Sequence, residues 1–298
     1  MRVFVAGASG QVALSLREAA RSAGIELKTA GRPGFDLNDC AASQRAIEAY
    51  RPTAIINAAA YTAVDAAEDN EAEATQINAD GAAMLATIAA DLGVPFLHIS
   101  TDYVFDGSKD DAYTETDAPC PTGAYGRSKL AGEIAVSAAN TDAMIFRTAW
   151  VYSPFGKNFC KTMLALAKTR DELGIVGDQW GNPSYAPDIA TALLAIIVKI
   201  ETTGWRPEYA GLYNLAGSGD TNWHAFASEV LHCGAAFGHR MPKVKAITTA
   251  DFPTAAVRPS NSRLDCSKVK AIFGVSMPDW QKSTAACVKR LFEDGALG

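Results

Sequence analysis

Seven residues near the N-terminus constrain this chain more than any others. Gly7-Ala8-Ser9-Gly10-Gln11-Val12-Ala13 fits the pattern G-x-x-G-x-x-A. It lies between a short apolar run, residues 3–6, and a stretch with helical apolar spacing at Val12, Leu14, Leu16 and Ala19-Ala20. That order reads strand, tight turn, helix. Gly7 permits the turn, Gly10 lets the backbone approach a pyrophosphate, and the small Ala13 lets the helix pack near the strand. Free N–H groups at the helix start, around Ser9, Gln11 and Val12, then meet the anion. Alone the pattern is weak; its place after an N-terminal strand in a βαβ context gives it weight.

The rest of the first half keeps that rhythm. Glu26–Ala30 reads as a second strand and residues 41–50 as a helix. Ala54–Asn57 is a buried strand, 78–92 an alanine-rich helix, and 95–100 another strand. Residues 125–139 are helical and 144–147 form a strand. Alternation of this kind predicts a Rossmann-type doubly wound parallel sheet, an α/β fold covered on both faces. After about residue 150 the alternation weakens among Pro154, Gly156, Gly174, Gly177, Gly181 and Pro183. Helices are expected at 186–200, at 221–231 with Thr221 or Asn222 as cap, and at 280–292. The 298 residues suggest about two domains. The expectation is an NAD(P)-binding domain over 1–150 and a smaller, irregular, mostly substrate-binding domain over 151–298. The helix near 186–200 is expected to return to the first.

Composition excludes several classes. Apolar residues make up 48% and charged residues 20%, a globular balance. The densest apolar stretch, 189–198, is about half as long as a membrane span, so no membrane partner is expected. The net charge of −6 argues against a nucleic-acid partner. The six cysteines come no closer than 21 positions apart, so metal and redox spacings are absent and no metal is expected. Scattered cysteines, with too few residues before Gly7 for an export signal, predict a cytoplasmic protein.

A second constellation carries chemistry. Tyr125-Gly126-Arg127-Ser128-Lys129 fits Tyr-x-x-x-Lys, with both side chains on one helix face. A lysine ammonium beside a phenol is expected to lower the phenol's pKa and ready it for proton transfer to a carbonyl. Ser100-Thr101-Asp102 lies 24 residues earlier, at a strand's carboxyl end, where open α/β sheets place ligands. Thr101 can bind the same carbonyl oxygen as Tyr125. Asn57-Ala58-Ala59-Ala60, after another strand, leaves room for a flat cofactor. The second strand ends Thr29-Ala30-Gly31-Arg32 with no carboxylate for ribose hydroxyls. Arg32 can pair with a 2′-phosphate, which favours NADPH and leaves NADH possible.

Together these residues resemble the extended short-chain dehydrogenase/reductase superfamily. Longer stretches are similar to the dTDP-4-dehydrorhamnose reductase family: residues 57–65, 100–107, 125–133, 146–152 and 258–264. The resemblance runs from residue 1 to about 292. It implies NAD(P)H-dependent reduction of the 4-keto group of dTDP-4-dehydro-6-deoxy-L-mannose to dTDP-L-rhamnose. It implies Thr101, Tyr125 and Lys129 as the catalytic set. It places Asp36, Leu37, Ala58, Ala59, Ala60, Tyr61 and Ser100 in the cofactor bed, with Tyr103 and Trp150 near the sugar. Arg258 and Arg263 are the local cations for a diphosphate. Some relatives hold magnesium with glutamates at a dimer interface; here Ser15 and Pro187 stand at two such positions and only Glu293 corresponds, so no magnesium site is expected and a monomer and a homodimer both remain open. Two alternatives also stay open: a reductase or epimerase of another nucleotide sugar, and a non-catalytic NADP-binding regulatory subunit. His98 reads as a core histidine. Asp65, Glu68, Asp69, Glu71 and Glu73 read as a solvated acidic face.

Overall fold

The computed structural model describes residues 1–295. The last three residues of the expected second segment, 296–298, lie outside the described residues. Strand β1 (Arg2–Ala6) runs through the glycine turn into helix α1 (Gln11–Ser22). Then come β2 (Glu26–Ala30), α2 (Cys40–Tyr50) and β3 (Ala54–Asn57). Two short helices, α3 (Val64–Ala67) and α4 (Glu71–Thr75), precede a π-helical turn at Gln76–Asp80 and α5 (Gly81–Asp91). The helix expected over 78–92 therefore starts earlier and carries a π turn, a feature with no signature in apolar periodicity. Next are β4 (Phe96–Thr101), a single 3₁₀ turn at Asp102–Val104, α6 (Ala124–Ala139) and β5 (Met144–Thr148).

The second half is less regular. It contains β6 (Val151–Tyr152), α7 (Phe159–Ala167), β7 (Glu172–Val176), β8 (Trp180–Gly181), β9 (Ser184–Tyr185) and α8 (Ala186–Thr203). Then follow β10 (Gly211–Asn214), β11 (Thr221–Asn222), α9 (Trp223–Ala235), β12 (Lys243–Ile247) and β13 (Asn261–Ser262). Helices α10 (Ser267–Phe273) and α11 (Trp280–Glu293) close it. Asn222 caps α9, accepting from Ala225 N at 2.8 Å.

Six parallel strands form the main sheet in the order β2-β1-β3-β4-β5-β10. This is the doubly wound α/β sheet that the alternation predicts. Successive β1 side chains enter opposite layers. Val3 and Val5 pack with Leu16 of α1 and with Ile189, Leu193 and Ile197 of α8. Phe4 packs with Ile47 of α2, Leu85 of α5 and Val136 of α6. Burial on both faces is why β3 and β5 read as unbroken apolar runs. Strand β10 is an addition that the sequence does not announce. It has four residues, Gly-Leu-Tyr-Asn, too few for a periodic signal, and pairs with β5 through Leu212 and Ile145. Among the described residues no helix is long and apolar enough to cross a membrane.

The chain leaves β1 towards β2 on one side and returns to β3 on the other. Strand order reverses there, and the carboxyl ends of β1 and β3 open a crevice. Everything that follows is arranged around that crevice.

Candidate active site

Gly7 ends β1 with φ +117°, a conformation glycine adopts without strain. A Cβ on it would also meet the Ala58 carbonyl carbon and oxygen at 3.1 Å. Helix α1 starts at Gly10 with no side-chain cap, so no side chain satisfies its first N–H groups. A cleft of about 410 Å³ opens beside them. Gly7, Ser9, Gly10, Arg32, Asp36, Leu37 and Ala58 to Tyr61 all line it. Among the described residues Arg32 makes no ion pair, and it is exposed.

The small residues after β3 are held by a residue that sequence reading passes over. Asn78, in the π turn, accepts from Tyr61 N at 2.8 Å and donates to Tyr61 O at 3.1 Å. It also donates to Ser128 Oγ of α6 at 2.9 Å. One buried amide thus ties the loop after β3 to the helix that carries Tyr125 and Lys129.

A second cleft, about 540 Å³, continues from the first and shares Ser9, Gly10 and Ala58 to Ala60 with it. Gln11, Val12, Ser100, Thr101, Tyr103, Tyr125, Lys129 and Trp150 also line it. Gln11 reaches out of the turn into the second half: it donates to Val151 O at 3.3 Å and accepts from Ser153 Oγ at 2.7 Å and Asn158 Nδ2 at 3.1 Å. The Tyr103 and Tyr125 rings meet edge-on, 5.6 Å apart. Thr101 Oγ1 donates to Asp102 Oδ1 at 3.0 Å. Asp102 is buried, and among the described residues its Oδ2 has no hydrogen-bond partner. Burial pushes its pKa up to about 6 against hydrogen bonds from Ser262 and Thr101.

The acid–base pair differs from expectation in one respect. Lys129 is buried, and its Nζ donates to Ile99 O at 2.8 Å and lies 3.4 Å from His98 Nε2. Its contacts are with β4 and not with the phenol. Burial pushes the lysine down to about 8, opposed by the charge of Glu133. Tyr125 moves up, to about 12, because burial of its hydroxyl end and the nearby Asp102 charge outweigh the opposing influence of the neighbouring Thr101 hydroxyl. The expected lowering of the phenol by the lysine is therefore absent from this geometry.

Helix α6 is docked by acidic side chains that sequence reading assigned to solvent. Glu68 Oε1 accepts from Ala124 N at 2.9 Å and serves as a remote cap where Gly123 offers none. Glu71 grips Arg127 with two bonds of 2.7 and 2.8 Å. Asp65 accepts from Ala256 N and from Arg258 Nη2, at 3.1 and 3.0 Å. Only Asp69 and Glu73 fit the solvated reading. Beneath the site, Glu133 takes Ser100 Oγ at 2.6 Å and Arg147 Nε and Nη2 at 2.9 and 2.6 Å, all buried.

On the far side of the cleft Trp150 adopts φ +46°, unusual for a bulky residue. Its indole stacks on Trp223 with ring centres 3.6 Å apart and planes 10° from parallel. Gly181 makes that possible: a Cβ there would meet Trp150 Cε2 at 2.5 Å. Trp150 lines the second cleft, while Trp223 lines an adjoining apolar cavity of about 550 Å³. Arg258 borders that cavity, and its buried Nε has no hydrogen-bond partner among the described residues. Arg263 is not brought to either cleft. Its donors serve Asn261 Oδ1 and the Asp110 carbonyl, and Asp220 lies 3.7 Å from Nη1. Among the described residues no group of three or more His, Cys, Asp or Glu side chains is placed to hold a metal ion.

A glycine turn at a strand-order reversal, feeding a cleft that ends on threonine, tyrosine and lysine, has the architecture of a dinucleotide-dependent α/β oxidoreductase. The family model described as "RmlD substrate binding domain" matches residues 1–293. The chain is similar to a dTDP-4-dehydrorhamnose reductase of Sinorhizobium fredii, at 45% identity over 99% of both chains. Among solved structures, one of a dTDP-4-dehydrorhamnose reductase from Clostridium acetobutylicum superposes with a TM-score of 0.90 at 34% identity, covering 98% of this chain and 100% of that one. Another, from Bacillus anthracis in complex with NADP, gives 0.87 at 32% identity, covering 98% and 99%. The chain belongs to the dTDP-4-dehydrorhamnose reductase family.

Proposed function

We propose that this protein reduces the 4-keto group of dTDP-4-dehydro-6-deoxy-L-mannose with NADPH, giving dTDP-L-rhamnose. The carrying observation is one continuous cleft that joins the uncapped helix start at Gly10 to Thr101, Tyr125 and Lys129. The full-length similarity to reductases of this name supports the substrate. The residues present suit a dinucleotide: a Cβ at Gly7 would crowd Ala58, the first turn of α1 has free N–H groups, and Arg32 is an unpaired cation at the rim. Gly7, Ser9, Gly10, Gln11 and Val12 would hold the pyrophosphate. Asp36, Leu37, Ala58 to Tyr61 and Ser100 would line the rest of the cofactor. Arg32 would meet the 2′-phosphate, and the NADP in the Bacillus anthracis relative agrees with that choice. When bound, NADPH supplies the two reducing electrons.

The chain's own residues then handle the proton and the substrate. Tyr125 gives its hydroxyl proton to the carbonyl oxygen as that oxygen becomes an alcohol, and Thr101 hydrogen-bonds the same oxygen. Lys129, which lines the same cleft, would favour the phenolate left on Tyr125 once its charged end turns from β4 towards the phenol. Tyr103 and Trp150 flank the sugar, and Arg258, with its free buried Nε, takes the diphosphate. Arg263 contributes by holding the 110 and 220 loops and not by touching the nucleotide. Residues 1–150 thus serve the cofactor and 151–298 mostly the substrate. The enzyme acts in the cytoplasm, as a monomer or homodimer that sedimentation of the purified protein distinguishes.

The test is direct. Purified protein with NADPH and dTDP-4-dehydro-6-deoxy-L-mannose should oxidise NADPH and yield a product that NMR identifies as dTDP-L-rhamnose. A different sugar product would point to another nucleotide-sugar reductase. Cofactor binding without oxidation of any keto-sugar nucleotide would favour a regulatory subunit.

A further inference from the structure

His98 is buried on β4, and the mechanism above does not use it. Its ring lies inside a chain of hydrogen bonds whose directions can be worked out. Ala59 N donates to Asn57 Oδ1 at 3.1 Å, which fixes the orientation of the Asn57 amide. The amide nitrogen, Nδ2, then faces His98 Nδ1 at 3.0 Å. An amide NH₂ donates and cannot accept, so Nδ1 must present its lone pair. A neutral imidazole carries one ring proton, which therefore sits on Nε2. That nitrogen is 3.4 Å from Lys129 Nζ, which itself donates to Ile99 O at 2.8 Å.

We propose that His98 is a positioning residue: Asn57 locks its neutral ring with the proton on Nε2, and that N–H faces Lys129 Nζ, holding the side chain on the Ile99 carbonyl and favouring the amine over the ammonium. An N–H dipole aimed at a nitrogen stabilises a lone pair there and opposes a positive charge. Burial and the neighbouring lysine keep His98 well below its ordinary pKa, so the ring stays neutral at working pH. The other groups around this pair are accounted for. Glu133 on α6 draws Lys129 towards the charged form, but both its oxygens are already engaged by Ser100 and Arg147. Asp102 and Tyr125 line the same cleft as Lys129. The consequence for turnover rests on the reductase reading. A lysine held near the point of deprotonation loses its charge within the working pH range, and with it the positive charge that the phenolate reading of Tyr125 requires.

The tautomer and the lysine titration are properties of the cofactor-free protein and are measured there. Nitrogen-15 NMR of the His98 ring should show Nδ1 unprotonated and Nε2 protonated at neutral pH; a proton on Nδ1 would overturn the proposal without any variant being made. In Asn57→Asp the carboxylate still accepts from Ala59 N–H but must now accept from Nδ1–H as well, so the tautomer inverts. Nε2 then offers Lys129 a lone pair. The Lys129 titration, followed by its 13Cε shift, should move up by about one pH unit. The corresponding limb of the kcat/KM profile should move with it. An inverted ring with an unmoved lysine also overturns the proposal. Failure of the NADPH assay with the wild-type tautomer as stated would count against the proposed activity and leave this arrangement standing.

Discussion

The first five strands are four to six residues long and share one parallel sheet, whereas among the described residues five of the eight strands after Trp150 are only two residues long. The two regions solve the problem of buried backbone polarity differently. In the first, ladder hydrogen bonds satisfy the chain, and periodicity follows from them. In the second, buried asparagines stand in for missing strand neighbours. Asn182 donates to Gly219 O at 2.7 Å and accepts from Leu264 N at 2.8 Å. Asn214 donates to Tyr113 O and Asp265 O, at 2.8 and 3.0 Å. Asn261 donates to Lys109 O and Asp111 O, at 2.6 and 2.9 Å. Side chains of this kind can fix irregular loops around a ligand, but each acts at one point and leaves no period in the sequence.

The largest test of this contrast is Tyr125→Phe, which removes the proposed proton donor from the regular region. Turnover should fall about 10²- to 10⁴-fold, while cofactor affinity measured by fluorescence titration stays close to wild type. Turnover that survives would break the assignment of chemistry to that region.

Asp102→Asn probes stability where the two regions meet, since Ser262 of the second region lies close enough to this carboxyl to influence its titration. The folded-state pKa lies above the unfolded value, so the wild-type contribution is fully present below pH about 4 and is lost as pH rises through about 6. The variant carries no such loss. Its stability relative to wild type should therefore grow between pH 4 and 8, by on the order of 2–3 kcal/mol. Thermal melts across that range would show it, and a pH-independent difference would contradict it.

Gly181→Ala drives a methyl into the Trp150 indole and sharpens the role of the second region. Overpacking of this kind costs about 1–3 kcal/mol. KM for the sugar nucleotide should rise while cofactor affinity is unchanged; equal losses of both would argue that the regions do not divide the work. Arg32→Gln should lower the preference for NADPH over NADH about tenfold, the loss of one charge-assisted contact to a phosphate. A preference that does not move would remove Arg32 from the 2′-phosphate site. The smallest effect belongs to Glu71→Gln. Its pair with Arg127 is largely exposed, and melting should register less than about 1 kcal/mol.

The sequence was legible where physics repeats. Strands β1 to β5, the glycine turn, and helices α1, α6 and α11 follow from apolar spacing and from glycine placement. So does the gathering of Thr101, Tyr125 and Lys129 at strand and helix ends. Strand β10 was too short to leave a pattern. Glu68 and Glu71 looked like a solvated run because their partners, Ala124 and Arg127, are more than fifty positions away. His98 sat in an apolar run and read as core; it is buried, but its polar neighbours Asn57 and Lys129 are 41 and 31 positions distant. The direction of the Tyr125 shift also eluded the motif. Spacing of i and i+4 gives a shared helix face, and only coordinates reveal that Lys129 turns to β4 instead.

The Trp150–Trp223 pair gives this protein an internal optical gauge. Two indoles 3.6 Å apart and nearly parallel share their excited states, which should mark the near-ultraviolet circular dichroism and quench the emission of both. One ring borders the second cleft and the other the neighbouring apolar cavity, so a ligand entering either space touches one partner of the pair. Any tilt or parting of the rings changes the signal without a label, and three further tryptophans supply a constant background. Occupancy of these two spaces can thus be followed by light, separately from the absorbance of the cofactor.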